Sequence, residues 1–240
     1  MEQISNPPII QEYHELGGSS LFSFWSDIDG SMGVVRKAIV EHMARMPDTN
    51  PGRYFVEVED AYAYINADVL EGIEPVSLNI REFFGRWYDF NRGLLVEQGY
   101  WEFADGSRIE NTPLVDLPKY ATKSQKAGGF DCPEIECRGN YAYAFSNAVH
   151  GPNHFKHGPR FQEIFDLLNE QIFPSGYSPT VDQAALRINS TPVVYDWSTP
   201  ELERFSRFFE AGLEWWGIFL FTVHDPLTSR LAVISASETD

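Results

Sequence analysis

Two sets of residues in this 240-residue chain have the types and spacing to do chemistry. The first is Cys132, Cys137, His150 and His154, spaced C-x4-C-x12-H-x3-H. Two thiolates and two imidazoles can complete a tetrahedral shell around a borderline-soft ion such as zinc. His157 follows three residues after His154, so three histidines are also available for a hydrolytic metal site. The second set is Asp27 and Asp29, in the run FWSDIDGS at residues 24–31. One carboxylate of such a pair can attack phosphorus, the other can handle the leaving group's proton, and magnesium can bridge nucleophile and substrate. The chain has no G-x-S-x-G elbow, P-loop, dinucleotide fingerprint or HExxH run, so those mechanisms have no residues to use.

Both sets resemble known families over short stretches. The cysteine and histidine segment resembles a zinc finger with two cysteine and two histidine ligands, with Phe130 before the first cysteine and Tyr141 after the second. It departs from that pattern in ways that matter physically. Gly151 and Pro152 lie between the histidines, where a finger needs unbroken helix to bring both imidazoles to one face. Asn147 stands where a core leucine is usual, and only Arg138 is basic between the second cysteine and the first histidine. Tyr141, Tyr143 and Phe145 alternate with Ala142 and Ala144, which is strand periodicity. The expectation is a core strand, then a histidine-bearing loop, with no bound metal; a degenerate zinc-binding protein is the alternative. The FWSDIDGS run resembles the first motif of the haloacid dehalogenase phosphatases, which implies Asp27 as nucleophile, Asp29 as the proton-handling group, and magnesium. That family also needs a distant lysine, which Lys119, Lys123 or Lys126 could supply, and a late acidic pair, which does not follow them. The expectation is that Asp29 caps a helix instead.

Charge points elsewhere. Thirty-five Asp and Glu against eighteen Lys and Arg give a formal charge of −17. A surface of that sign repels phosphate backbones and attracts basic proteins, so no nucleic-acid partner is expected. Residues 1–35 and 54–80 contain no Lys or Arg at all, and the second stretch carries Glu57, Glu59, Asp60, Asp68, Glu71 and Glu74. These six are the candidate partner-binding residues. The function expected is a non-catalytic, acidic binding module that occludes a basic site on a partner protein, with immunity proteins against bacterial toxins as the analogous class. A metal-dependent hydrolase or phosphatase is the alternative. No catalytic residue, metal ligand or cofactor is assigned. The sequence shows no signal-like leader and no apolar run of membrane-spanning length, and its two cysteines make no disulfide framework, so a cytoplasmic protein that does not enter membranes is expected.

The elements that would position these residues follow from periodicity. Val35, Ala38, Ile39, His42, Met43 and Met46 recur at helical spacing over residues 31–46, and residues 53–59 alternate like a strand. Asn79 and Glu82 have capping-box form before an aromatic helix face of Ile80, Phe83, Phe84, Trp87 and Tyr88. Asp105-Gly106 predicts a hairpin between residues 94–103 and 107–110, and residues 113–129 read as a surface loop. Pro159 opens a helix with Phe161, Ile164, Phe165, Leu168 and Ile172 as its buried stripe. Ser198 and Glu201 predict a second capping box, before a helix bearing Leu202, Phe205, Phe209, Leu213 and Trp216. Residues 217–223 and 231–236 read as a terminal hairpin with His224-Asp225-Pro226 at its turn. Interspersed helices with two hairpins predict one α+β domain over residues 1–240, a mainly antiparallel sheet with packed amphipathic helices.

Overall fold

The computed structural model describes residues 1–45, 65–121, 126–128, 139–146, 154–176, 192–213 and 216–237. The strand predicted over residues 53–59 lies outside them. The chain opens with β1 (Glu2–Ile4), α1 (Ile9–Glu15), β2 (Leu21–Ser26) and α2 (Met32–Ala44). α3 (Ala67–Gly72), β3 (Val76–Leu78), α4 (Ile80–Phe84), β4 (Tyr88–Asp89), β5 (Leu94–Glu102) and β6 (Arg108–Pro113) follow. Then come a 3₁₀ turn (Leu114–Asp116), α5 (Leu117–Ala121), β7 (Lys126–Gly128), α6 (Tyr141–Ser146) and α7 (His154–Ile172). The last elements are β8 (Val193–Asp196), α8 (Leu202–Phe205), two further 3₁₀ turns, β9 (Ile218–Asp225) and β10 (Arg230–Ser237).

A six-stranded sheet runs β1-β2-β10-β9-β8-β3 with every neighbouring pair antiparallel. A smaller sheet pairs β5 with β4, β6 and β7, also antiparallel. The expected α+β class is therefore what the chain adopts. Alternation splits the central strands between two cores. Phe22, Phe24, Phe219, Phe221, Val223, Ala232 and Ile234 face one, and Leu21, Trp25, Ile218, Leu220, Leu231 and Val233 face the other. Because helices cover both faces, β9 is buried at all eight positions, and the sequence reads there as a continuous apolar run rather than an alternating one.

The first core is aromatic. Tyr13 of α1 stacks on Phe145 at 4.5 Å, Phe83 on Tyr141 at 4.8 Å, and Tyr141 on Phe165 at 5.4 Å. Leu95 and Trp101 of β5 join it, so the small sheet packs on the same layer. The second core lies under α2, α3 and α8, with Val35, Ala38, Ile39, Met43, Leu70, Leu202 and Phe205. Val35, Ala38, Ile39, His42 and Met43 of the expected α2 stripe are buried, with Met46 outside the described residues, and the expected α7 stripe is buried throughout.

Several local expectations are corrected. α4 keeps its capping box but stops at Phe84, because Gly85 takes φ 73°; Trp87 and Tyr88 are buried beyond the helix. Residues 113–129 hold the 3₁₀ turn, α5 and β7, with Leu114 and Leu117 fully buried; elements of three to five residues are too short to show a period. Tyr141–Ser146 is helix and not strand: all six residues are buried, so there is no exposed face for a helical period to mark. The helix expected from Leu202 to Trp216 breaks after Phe205. Ser206 is extended (φ −152°, ψ 135°) and bridges Ile65, while Asn66 N donates to Phe205 O at 2.8 Å. Ser198 does not start that helix; its Oγ accepts from Leu220 N. The terminal hairpin forms as predicted, but His224 lies within β9 and the turn is residues 226–229. Asp225 does shape that turn, accepting from Leu227 N at 2.9 Å. Among the described residues no helix is long and apolar enough to cross a membrane.

Candidate functional site

The acidic candidates divide. Glu57, Glu59 and Asp60 lie outside the described residues, whereas Asp68, Glu71 and Glu74 are all exposed on α3 and the three residues after it. Leu70 of α3 and Ile73, the extended residue that ends it, turn into the second core, which leaves Asp68, Glu71 and Glu74 on the outer side. Arg36 of α2 fixes this element. Its Nε donates to Leu70 O at 3.3 Å and its Nη2 to Ile73 O at 3.1 Å, so a cation meets the carbonyls at the C-terminal end of α3. The same guanidinium lies 3.5 Å from the Glu71 carboxylate and 5.6 Å from the centre of the Trp197 ring. Among the described residues no Lys or Arg pairs with Asp68 or Glu74. The outcome is a short, anchored element presenting three carboxylates, one of them partly neutralised by its own anchor.

Asp27 and Asp29 sit on the loop between β2 and α2. Asp27 is exposed and takes a left-handed φ of 57°, with Ser26 Oγ 3.4 Å from its carboxylate. Asp29 does not cap α2: Ser31 is the N-cap residue and its side chain makes no cap hydrogen bond, while Asp29 Oδ1 accepts from Ser31 N at 2.8 Å in a local turn just before the helix. Hydrogen bonds from Ser31 hold the Asp29 carboxyl below the usual carboxylate range, with a smaller contribution from His224. That histidine reaches the loop from β9, which the sequence did not connect to it. Its Nε2 lies 3.3 Å from Ile28 O, and its ring packs against Gly30, which has φ 74°. Ile28 N donates to Ser229 O, tying the loop to the hairpin turn as well. The structure therefore brings His224 against the loop that carries Asp27 and Asp29. Among the described residues no group of three His, Cys, Asp or Glu is arranged to hold a metal. Cys132, Cys137 and His150 of the zinc-like pattern lie outside the described residues; His154 is the first residue of α7, and His157 is exposed at an irregular position within it.

One polar constellation escaped the sequence reading. His42 sits under the sheet with its Nδ1 2.8 Å from Ser23 Oγ and its Nε2 2.8 Å from Ser235 Oγ. Beside it, Trp197 Nε1 donates to Thr222 Oγ1 at 3.0 Å. A serine–histidine contact invites a catalytic interpretation, but His42 and Ser23 are each 3 % exposed and Ser235 is 0 % exposed. No substrate reaches such a group. Burial pushes the imidazole down to about 3, so it is neutral and bridges the two hydroxyls as donor on one side and acceptor on the other. The available signal was a histidine inside an otherwise apolar helical stripe, in a chain whose apolar strands carry inward-facing serines. The chain matches no known protein family, no curated protein and no solved structure, so its function has to be read from these residues alone.

Proposed function

We propose that the protein is a non-catalytic binding module that uses its acidic surface to occlude a basic site on a partner protein, as immunity proteins do for toxins. The observation that carries the reading is the anchored acidic element: Asp68, Glu71 and Glu74 are held outward by Leu70, Ile73 and Arg36. Rigid presentation matters because charges fixed in position steer encounter and set orientation without ordering costs on binding. The net charge of −17 extends the attraction to long range at low salt. The test is charge reversal. A chain carrying Asp68→Lys, Glu71→Lys and Glu74→Lys should associate with the partner recovered from the native cell on the order of tenfold more slowly at low ionic strength, with a flatter salt dependence. Unchanged association kinetics would remove this element from the binding surface.

A second reading keeps the hydrolase class and rests on the exposed, left-handed Asp27, on the loop that His224 packs against. It requires phosphatase activity that Asp27→Asn abolishes in a folded protein. Asp29 is committed to Ser31 N and the ring of His224 packs against Gly30, so both groups that would handle the leaving group's proton already serve the loop structure. The binding reading is preferred on that ground.

A further inference from the structure

Among the described residues, the six-stranded sheet ends at β3. The ladder dictates which backbone groups of β3 face outward. Trp197 N donates to Leu220 O at 2.9 Å, and these two residues continue the β8–β9 register, so Trp197 stands at a hydrogen-bonded pair position facing β9, although Leu220 N itself goes to Ser198 Oγ. Such pairs alternate along antiparallel strands. Tyr195 therefore also turns its backbone groups toward β9, while Val194 and Asp196 turn theirs toward Leu78 and Val76 of β3. Ser77, opposite Tyr195, is left with its N–H and C=O pointing away from the sheet, and its side chain is exposed.

This open stretch has defined ends. Pro75 has no N–H to offer. On the other side the N–H of Asn79 is taken by the Glu82 carboxylate at 2.8 Å. Exposed carboxylates flank it: Glu74 stands two residues before Val76, within about 7 Å of it along the chain, and Glu82 caps α4 just beyond Leu78. Edge strands that are short and bordered by charge resist pairing with a copy of themselves, since like charges would face each other. The same charges favour a segment of opposite sign.

We propose that the outer edge of β3 docks one extended, lysine- or arginine-bearing segment of the partner as an added strand, with Ser77 exchanging two backbone hydrogen bonds with it. This rests on the binding-module reading and supplies its mode: main-chain bonds give register, and Glu74 and Glu82 select a basic segment. The probe is a labelled nine-residue peptide of alternating lysine and valine, titrated by fluorescence anisotropy against the full chain at low salt. Wild type is expected to bind it. Ser77→Pro removes an N–H that takes no part in the β3–β8 ladder, so it should leave the unfolding transition in place and weaken binding about tenfold. The same peptide with threonine for lysine should bind about tenfold more weakly than the lysine form. Peptide addition should also slow amide exchange at Ser77 in the wild-type chain, a readout that does not depend on whether the proline variant folds. The proposal is overturned if wild type does not bind, if the proline variant or the threonine peptide binds equally well, or if Ser77 exchange is unchanged. Dimerisation of wild type that Ser77→Pro abolishes would overturn it in favour of a second copy. Full peptide binding by Ser77→Pro, but not by the triple lysine variant, would sink the strand mode alone and leave the acidic module standing.

Discussion

At the residue scale, two histidines define what the interior tolerates. His42 is held neutral by burial at about 3 in the fold, against 6.5 for an exposed imidazole. The unfolded chain therefore binds a proton first as pH falls. The stabilisation is complete above 6.5 and is lost at about 1.4 kcal/mol per pH unit between 6.5 and 3. His42→Gln should remove that slope: between pH 7 and pH 5 the wild-type chain should lose about 2 kcal/mol more than the variant in urea unfolding. Equal losses would show that the imidazole is not a neutral bridge. His224 governs the loop before α2. Gly30→Ala meets both a left-handed φ of 74° and the imidazole face, so it should destabilise by about 1–2 kcal/mol from the backbone and further from the overlap. Adding His224→Ala should return the overlap part, and strictly additive effects in that double-mutant cycle would refute the contact.

At the element scale, caps and anchors decide where short helices lie. α4 has only five residues, and its capping box satisfies both the Glu82 N–H and the Asn79 N–H. Asn79→Ala should cost about 1 kcal/mol. The anchor of α3 is different in kind, since it comes from another helix. Arg36→Gln loses the guanidinium fork that reaches Leu70 O, Ile73 O and Glu71, and residues 67–74 should then exchange their amides faster while the centre of the sheet keeps its protection. Uniform exchange across the chain would mean that Arg36 supports global stability and not this element. The same reasoning explains the break after Phe205. Propensity and the apolar stripe favour continued helix, but the backbone of Phe205 and Ser206 is claimed by Ile65 and Asn66, and a paired backbone outweighs a few tenths of a kcal/mol of propensity per residue.

At the scale of the whole molecule, charge and connectivity set the limits. A net charge of −17 repels itself within the folded chain, and salt screens that repulsion over about 10 Å at 0.1 M. Raising sodium chloride from low levels to that range should therefore raise the midpoint of thermal unfolding; a midpoint that falls would show that attractive ion pairs dominate. Connectivity gives the second test. β9 and β10 lie between β2 and β8 at the middle of the large sheet, yet they are the last strands in the sequence. Deleting residues 199–240 removes both strands and leaves the remaining pairs apart, so the product should be unfolded or insoluble. Cooperative melting of that truncated chain would contradict the expectation of one domain over residues 1–240.

The sequence by itself determined what is written locally. The α2 and α7 stripes, the Asn79–Glu82 box, the hairpin at Asp105-Gly106 and the terminal hairpin each depend on residues a few positions apart, so their signals survive in one dimension. The acidic stretch and its exposure at residues 68, 71 and 74 were legible for the same reason. Only the tertiary structure decided the rest. Tyr141–Ser146 is helix because packing surrounds it on every side and erases its period. Ser206 is extended because a segment some 140 residues earlier pairs with it. His224 meets Gly30, and His42 meets Ser23 and Ser235, through contacts that only a folded sheet creates. Periodicity reports which side of an element is apolar; it carries no information about which distant backbone will claim a hydrogen bond, and the site geometry of this chain is built from those claims.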